Sequence, residues 1–145
     1  MGHMKSSRFP LGPGECFSFA LRRAARTVSR QYDEALAPLA LNNGQFSMLA
    51  LLAELGPLRI HEVAETLAMD RTTVTAALKP LQRRKLVRVD VAGDDARARE
   101  AVLTPAGEAL LNEAMPLWRA QQERLKKMLS AKDAEALRAQ LARLV

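Results

Sequence analysis

Residues 60–81 read Ile60-His61-Glu62-Val63-Ala64-Glu65-Thr66-Leu67-Ala68-Met69-Asp70-Arg71-Thr72-Thr73-Val74-Thr75-Ala76-Ala77-Leu78-Lys79-Pro80-Leu81, and they contain two helical registers. Ile60, Val63, Ala64 and Leu67 recur at steps of three and four, which predicts a short helix that breaks at Ala68-Met69. Asp70 is placed to cap a second helix starting at Arg71. In that helix Val74, Ala77, Leu78 and Leu81 point inward, leaving Thr72, Thr73, Thr75, Ala76 and Lys79 outward near its start. Pro80 removes the hydrogen bond to the Ala76 carbonyl and predicts a kink. Two short helices joined by a tight turn are the outline of a helix-turn-helix.

Downstream, Leu86 to Val91 alternates as a strand, Ala92-Gly93-Asp94-Asp95 reads as a turn, and Arg99 to Leu103 as a returning strand. A hairpin in this position is a wing. Thr104 as cap and Pro105 at the first helical position then open a helix with Leu111, Ala114, Trp118, Gln121, Leu125 and Met128 on one stripe. Run to Leu129, it is about 37 Å long, with a bend expected at Pro116. Ser130 with Asp133 resembles a capping box for a last helix that aligns Leu137, Leu141 and Leu144. Upstream, the breaker cluster Pro10-Leu11-Gly12-Pro13-Gly14 precedes a long amphipathic helix with Phe17, Leu21, Ala24, Val28, Tyr32 and Ala35 on one face, stopping at Ala37-Pro38. Asn42 or Asn43 caps the next helix, which is apolar on most of its circumference, should be buried, and ends at Gly56-Pro57.

The expected fold is mainly α with a small β wing, an α+β winged helix. The winged helix-turn-helix core covers about 42–104, and helices at about 14–37 and 105–145 form a helical dimerisation region. A narrow apolar stripe on a long helix cannot be fully buried inside so small a domain, so a second subunit is the simplest cover. Met1-Gly2-His3-Met4 reads as vector-derived sequence, with residues 5–145 forming one domain.

Composition narrows the function. Apolar residues are 48% and charged residues 26% of the chain, a globular balance, and aromatics at 4% with abundant Ala, Leu and Arg favour helix. No apolar run approaches the roughly 20 residues that span a bilayer, so a cytoplasmic protein is expected. One cysteine, Cys16, and one histidine beyond the first four residues, His61, cannot build a four-ligand zinc site, so no metal or cofactor is expected. A phosphate-binding glycine loop, a histidine-based triad and a telling acid pair are all missing, which argues against an enzyme. The net charge is +6 and the isoelectric point about 10.1, suiting a polyanionic partner. From Arg71 to Arg99 eight basic residues face three acidic ones, a local +5 that holds most of the excess.

Four segments in order resemble the MarR family of bacterial regulators. They are Gln45-Phe46-Ser47-Met48-Leu49 with Gly56-Pro57-Leu58; His61 to Leu67; Met69 to Val74 with Leu81 to Val87; and Asp95-Ala96-Arg97-Ala98-Arg99 followed by Leu103-Thr104-Pro105-Ala106-Gly107. The resemblance spans Cys16 to Val145. It implies a homodimer interlocked through its first, fifth and sixth helices, binding double-stranded DNA at a palindromic operator, usually as a repressor released by a small ligand or by oxidation. Two positions depart from the family pattern. Arg59 stands where Ser or Thr often caps the third helix, and Ala96 replaces an arginine often found at the wing tip.

On this reading the recognition helix enters the major groove. Thr72, Thr73, Thr75 and Ala76 would meet thymine methyls and nearby acceptors, Arg71 and Lys79 are placed for phosphates or guanine, and Arg83 and Arg99 are further candidates for DNA contact. Arg97 is the candidate for minor-groove insertion, oriented by pairing with Asp95. A ligand pocket between the dimerisation helices and the winged core has Phe17, Arg22, Phe46, His61 and Trp118 as candidate lining, and the Arg22, Arg26 and Arg30 row suits an anionic aromatic effector. Two alternatives stay open. Cys16 lies at the start of the first helix, where the helix dipole favours a thiolate, so it could sense oxidation, with Tyr32 the only tyrosine available to assist. The winged domain could instead bind another protein.

Overall fold

The computed structural model describes residues 14–145. The vector-like start and all of the breaker cluster except Gly14 lie outside the described residues.

Helix α1 spans Phe17–Leu36, and Cys16 is its N-cap, with the Sγ accepting from the Phe19 N–H at 3.4 Å. The helix ends where expected. Pro38 falls inside a 3-10 turn, Ala37–Leu39, which closes on a left-handed Ala40. Helix α2, Asn43–Leu55, begins in a reciprocal box: Asn42 Oδ1 accepts from the Gln45 N–H at 2.8 Å, and Gln45 Oε1 from the Asn42 N–H at 3.1 Å. Gly56 stops it at a φ of 78°, a conformation that excludes most side chains.

A two-residue strand that the sequence reading did not anticipate, β1 at Leu58–Arg59, leads directly into α3, Ile60–Thr66. Helix α4 covers Arg71–Arg83 and runs through Pro80. Strands β2, Val87–Ala92, and β3, Asp95–Leu103, form the wing. The returning strand is thus four residues longer than expected, and the turn shrinks to Gly93-Asp94, because Asp95 joins the ladder opposite Ala92. The sheet is antiparallel in the order β1-β3-β2. Helix α5, Pro105–Leu129, runs through Pro116, and α6 spans Ala131–Ala142 with Ser130 Oγ accepting from the Asp133 N–H.

The core lies where α2, α3, α4 and the sheet meet the first half of α5. Leu36, Leu49, Val63, Val74, Leu78 and Leu81 are its most enclosed large side chains, each worth about 1.5–3 kcal/mol relative to exposure. Trp118 of α5 stacks on Phe46 of α2, ring centres 5.9 Å apart. Helix α5 is fastened to the wing base at its first turn. There Thr104 Oγ1 donates to the Lys85 carbonyl at 2.7 Å, and the Thr104 N–H donates to the Leu86 carbonyl at 3.1 Å. Gly107 faces the same carbonyl so closely that a Cβ there would lie 2.1 Å from the Leu86 oxygen.

Beyond Trp118 the apolar stripe leaves the core. Helix α1 packs on α5 and α5 on α6, yet Leu21, Leu129, Leu137 and Leu141 stay exposed. They line an open groove of about 490 Å³ together with Ala24, Val28 and Leu125. No helix of the described residues is long and apolar enough to cross a membrane.

Candidate nucleic-acid interface

The outward face of α4 follows from its inward one. Val74, Leu78 and Leu81 are buried to 2% exposure or less, which fixes the helix rotation. Thr72, Thr75, Ala76, Lys79 and Arg83, at spacings of three and four, then form one exposed stripe on the opposite side. Arg71 and Thr73 flank it at the helix start and are also exposed. Thr73 is committed to the cap: its N–H donates to Asp70 Oδ1 at 2.7 Å and its hydroxyl to Asp70 Oδ2 at 2.8 Å. Its methyl and oxygen lone pairs stay available to a partner. These two donors hold the Asp70 carboxyl below its ordinary range.

Most of the segment's cations are left without carboxylates. Asp90 pairs with Arg88 on its own strand, and Asp94 pairs with Arg59. Arg84 turns back on the body, its guanidinium donating to the Ala40 carbonyl at 2.6 Å and the Leu39 carbonyl at 3.1 Å. Among the described residues, Arg71, Lys79, Arg83, Lys85, Arg97 and Arg99 make no salt bridge. The acids are thus spent on scaffolding, and the positive charge of these six side chains is not cancelled by ion pairing.

Arg97 is presented by an irregularity of the wing rather than by its turn. The register pairs Val91 with Arg99 and Ala92 with Asp95, so Ala96, Arg97 and Ala98 bulge out of β3 with no residues opposite them. Asp95 Oδ1 accepts from the Arg97 backbone N–H at 2.9 Å, and the Arg99 guanidinium reaches the Ala96 carbonyl at 3.3 Å. This corrects the expected side-chain pairing of Asp95 with Arg97. The carboxylate shapes the backbone of the excursion and leaves the exposed guanidinium unengaged. Arg99, expected only as a DNA contact, braces the same excursion.

Of the five candidate effector residues only Phe46 and Trp118 come together. Phe46 is buried against Trp118. Phe17 is 88% exposed at the tip of α1, and Arg22 belongs to a separate hollow of about 500 Å³ along α1, shared with Phe19, Arg23, Arg26 and Arg30. His61 lies half-buried in the first turn of α3. Cys16 is a capping residue, and Tyr32, sixteen residues along the helix and so about 24 Å away, bonds Gln122 of α5 instead. Within one chain the two therefore do not share a site.

Sequence reasoning missed three features: the Arg84 clamp, the Arg59–Asp94 tie and the bulge. Only one had a local signal. Arg59 does not cap α3, as expected, but Glu62 three residues on accepts from the Arg59 N–H at 2.7 Å, which is the readable half of a capping box.

Comparison with known proteins agrees with this geometry. A family model described as the MarR family matches residues 40–98. The HTH-type transcriptional regulator YwoH of Bacillus subtilis, itself uncharacterised, is 30% identical over 93 residues, covering 64% of this chain and 67% of YwoH. The M. tuberculosis transcriptional regulator MosR, solved in complex with DNA, is 38% identical with a TM-score of 0.82, covering 90% of this chain and 93% of MosR. The transcriptional repressor CouR, bound to a 23-mer DNA duplex, is 31% identical with a TM-score of 0.82 over 95% of this chain and 99% of CouR. A second CouR structure, 28% identical with a TM-score of 0.82 over 97% of each chain, holds p-coumaroyl-CoA. With its helix-turn-helix, its three-stranded sheet ending in a wing and these relatives, the chain belongs to the MarR family of winged helix transcriptional regulators.

Proposed function

We propose that this protein represses transcription by binding a palindromic DNA operator as a homodimer, and that a small aromatic or anionic effector releases it. The observation that carries the reading is the exposed stripe of α4 together with the Arg97 excursion of the wing, with Arg71, Lys79, Arg83, Lys85, Arg97 and Arg99 free of salt bridges among the described residues. Thr72, Thr73, Thr75 and Ala76 meet base edges in the major groove, Arg71, Lys79, Arg83 and Arg99 add charge toward phosphates or guanine, and Arg97 enters the minor groove. The duplexes bound to MosR and CouR support DNA as the partner.

Dimerisation rests on the apolar groove of α1, α5 and α6, whose exposed leucines a second copy would cover. It would also set two recognition helices about one helical turn of DNA apart. The effector class rests on the p-coumaroyl-CoA bound by CouR and on the arginine-lined hollow of α1. The protein acts by binding rather than by catalysis, and does so in the cytoplasm. Titration of the DNA upstream of its own gene, with sedimentation of the free protein, tests the reading. A dimer that protects two half-sites about 10 bp apart is expected, whereas a strict monomer, or a protein indifferent to DNA at low salt, would refute it.

A further inference from the structure

The wing outruns its support. Strand β1 pairs with β3 only at Ala101 and Glu100, so from Arg99 to the tip the hairpin is a two-stranded ribbon. Ribbons of this kind twist freely and hold their direction poorly on their own. Among the described residues, one side-chain bond links the segment 93–99 to the body of the protein, from the Arg59 guanidinium to the Asp94 carboxylate. Arg59 is well placed to be a fixed point. It ends β1, its N–H is held by Glu62 at the start of α3, and its side chain, 32% exposed, is steadier than that of Asp94, 79% exposed. Although Arg59 stands opposite Glu100 in the sheet, its guanidinium bonds to the turn instead. Two consecutive aspartates thus divide the work: Asp95 shapes the excursion that carries Arg97, and Asp94 ties that excursion to the helix-turn-helix.

We infer that Arg59 and Asp94 are positioning residues that set the direction in which the wing offers Arg97 to DNA. The inference rests on the DNA-binding reading above, and a simpler role for the pair makes the opposite prediction. If Arg59 merely neutralised an acid near the phosphates, Asp94→Asn would remove a repulsive charge and tighten binding. If the tie sets direction, the same substitution loosens binding, and does so only while Arg97 is present to be misdirected.

A duplex selected by the wild-type protein from a random library, titrated by fluorescence anisotropy at one ionic strength, separates the two. Asp94→Asn should weaken binding by up to about fivefold, the upper end of what an exposed ion pair contributes. Arg97→Ala should weaken it more. Adding Asp94→Asn to Arg97→Ala should change little further, since the two act through one contact. The thermal midpoint of Asp94→Asn should match the wild type. Binding that is unchanged or tighter in Asp94→Asn, or weakened equally with and without Arg97, overturns the inference and leaves the DNA reading intact. An Arg97→Ala variant that binds like the wild type removes the wing from the mechanism and this inference with it.

Discussion

Gly107 lies at the joint between the long helix α5 and the wing base, and replacing it with alanine should loosen that joint. A Cβ at this position would lie 2.1 Å from the Leu86 carbonyl oxygen and 2.6 Å from Leu103 Cδ1, whereas real contacts begin near 3.0 Å. The leucine methyl can rotate away, but the carbonyl cannot. It accepts from the Thr104 N–H, and the Leu86 N–H donates to the Leu81 carbonyl at 2.9 Å. The first turn of α5 must therefore retreat by about 1 Å, straining its bonds to Lys85 and Leu86. Overpacking costs about 1–3 kcal/mol and each strained hydrogen bond about 1 kcal/mol, while alanine in a helix returns about 1 kcal/mol over glycine. The net loss is about 2–4 kcal/mol, read as a lower urea midpoint at matched protomer concentration, since dimerisation would be linked to stability. A variant as stable as the wild type, or more stable as helix propensity alone would have it, refutes the close approach.

Arg97→Ala should weaken operator binding by about 1–3 kcal/mol while moving folding stability by no more than about 0.5 kcal/mol, because the exposed guanidinium has no partner among the described residues; a titration curve that overlays the wild type would contradict this. Lys79→Ala and Arg83→Ala should each lower the slope of log affinity against log salt by about 0.9 if they meet phosphates, and an unaltered slope would place those side chains off the backbone. The Asp70 carboxyl is held below its ordinary pKa of 3.8 by the Thr73 donors, so its folded value is lower than its unfolded one. Its capping contribution is therefore complete above pH 3.8 and fades as the pH falls through the folded value. Unfolding midpoints of wild type and Asp70→Ala should accordingly keep a constant gap at neutral pH and converge only in strong acid, and convergence by about pH 5 would count against the cap.

Local chemistry made much of the fold legible in advance. The spacing of Val74, Leu78 and Leu81 sets the rotation of α4 and therefore names its outward stripe, because a helix that buries one face must expose the other. Asn42, Asp70, Thr104 and Ser130 announce helix starts because each cap is satisfied within three residues. The features that lie between distant segments were not legible. Arg84 reaches carbonyls more than forty residues away, Arg59 meets Asp94 across thirty-five, and the space that Gly107 must leave open is defined by Leu86 in the turn before β2. A charged side chain carries the same formal charge whether it faces DNA, an aspartate or a backbone carbonyl, so composition could count the cations of residues 71–99 without separating Arg88, paired with Asp90, and Arg84, turned onto backbone carbonyls, from the rest. That separation, like the bulge that lifts Arg97 out of the ladder, came from long-range packing and register, which no short window of residues contains.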